Sequence, residues 1–131
     1  MVEQKRFLVD VGMDGLLFPV KISSRARVGG QATVAKISIS ARIMQEFQAR
    51  WIDKFIQILH RHRDNIGTDT VRENIADYLE GLNAKAVTVT FDFPFFIEKR
   101  TPISNERCLV GYQCALSAKS EIGRASCRER V

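Results

Sequence analysis

The sequence has no run approaching the roughly 18 consecutive apolar residues that a membrane helix requires. Its first residues, MVEQKRFLVDVGMDG, lack the apolar core of a secretory signal and are interrupted by charge, which sets the expectation of a cytoplasmic protein. Cysteine is scarce: there are three, an odd number without close pairing, which argues against a disulfide scaffold or a structural zinc knot. Cys108 and Cys114 share one face of a strand-like segment but stand too far apart along it to pair, so reduced buried thiols are expected. No internal repeat, low-complexity linker or break in composition divides the chain. One domain is therefore expected over residues 1–120. No Ser-His-Asp or Cys-His arrangement is present, and Gly29-Gly30 lacks the surroundings of a phosphate-binding loop.

What is present is an ordinary globular composition, 45% apolar and 27% charged, in 131 residues. The formal charge is +5; residues 121–131 carry +1 of it, leaving +4 for the rest. So small an excess suits an anionic small substrate as well as a nucleic acid.

The clearest pattern lies between Ala86 and Ser104. Val87, Val89, Phe91, Phe93 and Phe95 alternate with Thr88, Thr90 and Asp92, the period of a half-buried strand. Each large apolar group on that face stabilises the fold by roughly 1.5–3 kcal/mol when fully buried, so something must cover them. After Phe96 the run Glu98-Lys99-Arg100 leaves the apolar face, the chain turns at Pro102, and Asn105–Arg107 leads into a further strand with Cys108, Val110, Tyr112, Cys114 and Leu116 on one face.

Upstream, Gly12-Met13-Asp14-Gly15 reads as a turn. It is followed by a strand over Leu16–Ile22 in which Pro19 predicts an edge position or a bulge. Ser23–Gly30 reads as a loop and Ala32–Ile43 as the second strand of a hairpin. The period then becomes helical: Phe47, Trp51, Ile52, Phe55, Ile56 and Leu59 predict a helix over Phe47–His62. Asn65-Ile66-Gly67 breaks it. Thr70-Val71-Arg72-Glu73 has the form of a capping box, Val71, Ile75, Tyr78, Leu79 and Leu82 form a second helical stripe, and Asn83 suits its C-terminal cap. The order β-β-α-α-β-β predicts an α+β fold, one antiparallel sheet with both helices on one face.

Candidate chemistry is sparse. His60 and His62, two apart on a helix, point about 200° away from each other and cannot share a metal; solvated helix-end histidines are the expectation. Lys21, Arg25 and Arg27 form a basic hairpin tip. With Arg42 they offer phosphate contacts for RNA, with phenylalanines as stacking platforms, although burial of those phenylalanines under the helices is the better reading. Glu98, Lys99 and Arg100 read as a solvated turn or as the lining of an interface. No catalytic, metal-binding or cofactor-binding residue is assigned.

The last residues, Glu121–Val131 (EIGRASCRERV), match neither helical nor strand periodicity and look like the in-frame translation of a sequencing adapter. They are expected to be a non-native tail, Cys127 included.

Four segments together resemble the type IB GTP cyclohydrolase I family: DVGMDGLLFPVKI (Asp10–Ile22), ATVAKISISARI (Ala32–Ile43), RWIDKFIQILHRHR (Arg50–Arg63) and above all FPFFIEKRTPIS (Phe93–Ser104). The resemblance runs from about Asp10 to Lys119. It implies the tunnelling fold, in which sheets of several modules join edge to edge into a barrel with the helices outside. It implies hydrolysis of GTP to 7,8-dihydroneopterin triphosphate and formate, assisted by a divalent metal (zinc, manganese or iron) that activates water. It also implies a homo-oligomer. Relatives carry the metal-binding cysteine, histidine and glutamate in a second half that lies beyond this sequence, so Cys108 and Cys114 are given no such role. Where many relatives have His-Met-Ser-Arg at the head of the first helix, this chain has Gln48-Ala49-Arg50-Trp51. The resemblance thus implies an N-terminal module that is inactive alone and insoluble or oligomeric when expressed as written. Two alternatives are another tunnelling-fold purine or pterin enzyme, of the nitrile reductase type, and a non-enzymatic RNA-binding module.

Overall fold

A computed structural model describes residues 7–24, 27–121 and 124–130. Among them are five strands, β1 (Leu8–Ser24), β2 (Arg27–Met44), β3 (Ala84–Arg100), β4 (Arg107–Glu121) and β5 (Arg124–Arg130), and two helices, α1 (Trp51–His62) and α2 (Thr68–Gly81). All neighbours are antiparallel and the sheet order follows the chain, β1-β2-β3-β4-β5. The β-β-α-α-β-β order and the α+β class are as the sequence implies. The added strand β5 is made by the tail, whose periodicity gave no sign of it. Edge pairing needs only backbone N–H and C=O groups, which every non-proline residue carries.

The first strand begins well before Leu16. Gly12–Gly15 is not a turn but the site of a β-bulge between Met13 and Leu16, where two residues of β1, Asp14 and Gly15, pass one of β2, Ser38. The extra residue switches the inward parity. Val9, Val11 and Met13 pack on the core before it, and Leu16, Phe18, Val20 and Ile22 after it. Gly15 supplies the left-handed conformation the bulge needs, with φ +78°. Pro19 lies, as expected, on the edge strand. The predicted loop Ser23–Gly30 is mostly ladder, with Ile22 opposite Gln31 and Ser24 opposite Arg27.

Both helices cover one face. Trp51, Phe55, Ile58 and Leu59 of α1 and Val71, Ile75 and Tyr78 of α2 join Ile37, Ile39, Val89, Phe91 and Phe93 in one core. Phe91 and Phe93 are 1% and 3% exposed, which removes them as stacking platforms. The first helix starts at Trp51 rather than Phe47. A short 3₁₀ turn occupies Gln45–Phe47, and Arg50 is non-helical at φ −120°, ψ −1°. Ile52, placed in the apolar stripe by the sequence, faces solvent, while Ile58 takes the core position. The second helix starts at Thr68 with extended Gly67 before it. The capping box does not form: the Thr70 hydroxyl instead donates to the Gly67 carbonyl oxygen at 3.1 Å. Asn83 ends the helix as predicted, with φ +51° and its N–H donating to the Glu80 carbonyl.

The link between the helices is tied to the sheet edge. Lys21 N–H donates to Arg63 O (2.8 Å), Ile66 N–H to Lys21 O (2.9 Å) and Ser23 N–H to Ile66 O (2.8 Å). That stretch of the β1 edge is therefore already occupied.

Candidate functional site

The face of the sheet opposite the helices is open. On it, Ser38 lies opposite Thr90 and Thr90 opposite Ser117; Ser40 lies opposite Thr88 and Thr88 opposite Lys119. A shallow cleft of about 380 Å³ is lined by Gly12, Met13, Asp14, Ser38, Ile39, Ser40, Thr88 and Thr90. The bulge brings Asp14 to this floor, where the Ser38 hydroxyl donates to its Oδ1 at 2.5 Å. Thr90 and Ser117 share a hydroxyl–hydroxyl bond of 3.2 Å. Such a surface offers hydroxyls and one carboxylate to a hydrogen-bonding ligand, set in a lining that is mostly carbon.

Farther along, the sheet divides. The β2–β3 ladder ends at Lys36 opposite Asp92, whereas β1–β2 runs on to its hairpin and β3–β4 runs on to Arg100 opposite Arg107. The outer part of β3–β4 is an arm with exposed Phe96, Ile97 and Leu109. Its turn is built by Thr101: Thr101 N–H donates to Glu106 O, Asn105 N–H to Thr101 O, and Glu106 N–H to Thr101 Oγ1, each at 3.0 Å.

Of the charged residues singled out in the sequence, Glu98, Lys99 and Arg100 are on this arm, whereas Arg42 lies at the other end of β2, opposite Ala86. Glu98, Lys99 and Arg100 are exposed, as expected, but form the end of β3 rather than a turn. Glu98 pairs with Arg107 at 3.3 Å, and Arg100 Nη1 donates to Asn105 O at 3.3 Å. Lys99 Nζ donates to Tyr112 Oη at 2.9 Å and lies 5.5 Å from the centre of that ring. The bond to the tyrosine raises the pKa of the Lys99 ammonium. Arg42 is engaged by Asp10 at 2.9 Å, and the hydrogen bond from the guanidinium holds that carboxyl below its usual range. Lys21 is exposed at the edge, while the side chains of Arg25 and Arg27 lie outside the described residues.

His60 and His62 diverge as their spacing requires, but neither is merely solvated. His60 meets Phe18 edge-on, with ring centres 5.0 Å apart. His62, with only 19% of its side chain exposed, lies 3.0 Å from Asp77 Oδ2 and ties α1 to α2. Cys108 and Cys114 are half-buried on the helix side of β4. Six residues of strand separate them by about 20 Å, and they form no disulfide. Beside His62, Tyr78 is buried, which pushes its hydroxyl pKa up, with the neighbouring Asp77 adding to the effect; that hydroxyl has no hydrogen-bond partner among the described residues. No three His, Cys, Asp or Glu side chains come together to hold a metal among the described residues. The donor sets of the described residues therefore do not fit the divalent ion implied by the resemblance. No described helix is long and apolar enough to cross a membrane.

One residue escaped sequence reading. Gln31 is 8% exposed, and both ends of its side-chain amide bond the backbone of Phe96: Nε2 donates to Phe96 O and Phe96 N–H donates to Oε1, each at 2.9 Å. Beside it the Thr33 hydroxyl donates to Pro94 O at 3.1 Å. A signal was available. Gln31 and Thr33 occupy the inward parity of Ala35, Ile37 and Ile39, where a polar side chain must find a partner.

Comparison with known proteins fits this architecture. The family model described as type I GTP cyclohydrolase folE2 matches residues 3–131. A protein named GTP cyclohydrolase FolE2 from Methylococcus capsulatus is 31% identical over 106 residues, covering 81% of this chain and 39% of the relative. The proteins of the same name from Desulfovibrio desulfuricans and Nitratidesulfovibrio vulgaris are 33% and 32% identical, covering 83% and 88% of this chain and 42% and 44% of themselves. The chain thus spans about two fifths of the length of the curated relatives it matches. With nearly its whole length matched, the chain belongs to the type I GTP cyclohydrolase FolE2 family.

Proposed function

We propose that this chain is the N-terminal module of a cytoplasmic, metal-dependent GTP cyclohydrolase. The parent enzyme hydrolyses GTP to 7,8-dihydroneopterin triphosphate and formate, and this module is inactive by itself. The observation that carries the reading is the family match along residues 3–131, set beside coverage of only about two fifths of each relative. The architecture supports it. One face of the sheet is sealed by helices, while the other is open and carries a row of hydroxyl side chains, as the inner wall of an assembly would. The divalent metal and the residues that hold it belong to the remainder of the parent. Copies associate edge to edge through their sheets, and the tie between Lys21–Ser23 and the inter-helix link leaves Leu8–Pro19 as the open part of the β1 edge. Glu121–Val131 is, in this reading, a foreign tail, of which Arg124–Arg130 pairs with β4 through its backbone.

The test is GTP turnover with added divalent metal, read as formate and pterin release. The chain alone is expected to show none and the parent to show turnover. Turnover by the chain alone overturns the module reading, and an inert parent overturns the cyclohydrolase reading. Size-exclusion chromatography tests the assembly: a clean, stable monomer contradicts edge-to-edge association.

A further inference from the structure

Beyond the Lys36–Asp92 rung the two hairpins have no β2–β3 ladder between them. Among the described residues, the hydrogen bonds that join β2 to the arm there run from side chain to backbone: the two bonds between Gln31 and Phe96 and the single bond from Thr33 to Pro94. A glutamine amide has the same donor and acceptor as a peptide group. Bonded at both ends to one residue's N–H and C=O, it reproduces a rung of an antiparallel ladder without a strand to supply it.

The position makes this rung consequential. Phe95 still packs on the core at the base of the arm, but Ile97, the next residue on the helix side of β3, is exposed, so helix cover has ended there. Pro94 stands where the ladder stops and has no N–H to offer β2. The arm thus pivots from a point with one missing donor, and two of the three named bonds that hold it laterally come from one side chain.

We propose that Gln31 is a latch: its amide stands in for the missing rung and decides whether the arm beyond Phe95 moves with the rest of the sheet or independently of it. With the latch closed, Phe96 and Leu109 of the arm lie on the same open face as Leu17 and Val34 of the β1–β2 hairpin, and the outer end of that face acts as one surface. With it open, the two hairpins separate and the surface divides. Gln31 is a positioning residue, acting through the backbone of Phe96.

Amide hydrogen exchange on the full chain tests this, comparing protection of Phe96 with that of Val89 in the covered part of the sheet. Gln31→Leu keeps the bulk and loses both bonds; it is expected to cut Phe96 protection about tenfold or more with Val89 unchanged. Gln31→Glu keeps the acceptor but sets a carboxylate against the Phe96 carbonyl. When acidified, its carboxylic acid regains a donor, so Phe96 protection should fall near neutral pH and recover as pH is lowered. Gln31→Leu has nothing to titrate and should show no recovery. Unchanged Phe96 protection in Gln31→Leu, an equal loss at Phe96 and Val89, or no acid recovery in Gln31→Glu each overturns the proposal.

Discussion

The covered part of the sheet and the arm are one strand pair held by different forces. Around Val89 and Phe91, β3 has ladder partners on both sides and helices above, and these residues are 0% and 1% exposed. Beyond Pro94 the same strand has a ladder on the β4 side only, exposed phenylalanine and isoleucine, and a glutamine in place of a neighbour. The first region is held by apolar burial, which is non-directional and large. The second is held by a few hydrogen bonds and ion pairs, which are directional and individually small. The stretch that most resembles the family, Phe93–Ser104, begins in the first and runs out along the second.

Substitutions sharpen that contrast. Phe91→Ala, in the centre of the covered part, should cost about 3–5 kcal/mol in chemical denaturation, since the cavity adds to lost transfer energy; a cost below 1 kcal/mol would mean the helices do not seal this face. Gly15→Ala should cost about 1–2 kcal/mol, because an L side chain must adopt the left-handed conformation of the bulge. The space itself is adequate, the nearest atom to an added methyl being Lys36 Cε at 3.6 Å. A neutral result would place the bulge elsewhere. Leu109→Ser on the arm, where the leucine is 72% exposed, should change unfolding by no more than about 0.5 kcal/mol. A large loss there would erase the distinction between the regions. The smallest effect belongs to Asp10, exposed and paired with Arg42. Its lowered pKa makes its contribution present above the ordinary carboxylate range and lost as pH falls through the lowered value. Asp10→Asn should flatten only the acid end of the pH–stability curve, and 1 M salt should hide the difference.

The covered region is legible in the sequence, as are the turn after Arg100 and the face of β4 from Cys108 to Leu116, but what holds the arm to β2 is not. Alternation from Val87 to Phe95 and the stripe Val71, Ile75, Tyr78 report burial directly, and burial is what the core is made of. The bulge at Asp14-Gly15 has the sequence of a turn because a glycine with positive φ serves both, and only pairing with β2 separates them. The helical spacing begins at Phe47, ahead of α1, because the apolar period continues through Arg50 while the backbone there does not. Thr70 and Glu73 had the form of a cap, but Gly67 and the link to β1 set the start of α2 instead. The latch was hidden because its partner is 65 residues away and is main chain, which carries no residue-specific sequence signal. In the site region, sequence identified Glu98, Lys99 and Arg100 as notable but not their pairing with Arg107, Tyr112 and Asn105, which depends on the β3–β4 register.

The most direct test of the module reading is an independent read of the gene past codon 120. The account predicts a reading frame that departs from EIGRASCRERV and continues into a second strand-rich module bearing cysteine, histidine and glutamate. A natural gene that encodes this same tail and stops at Val131 would contradict it.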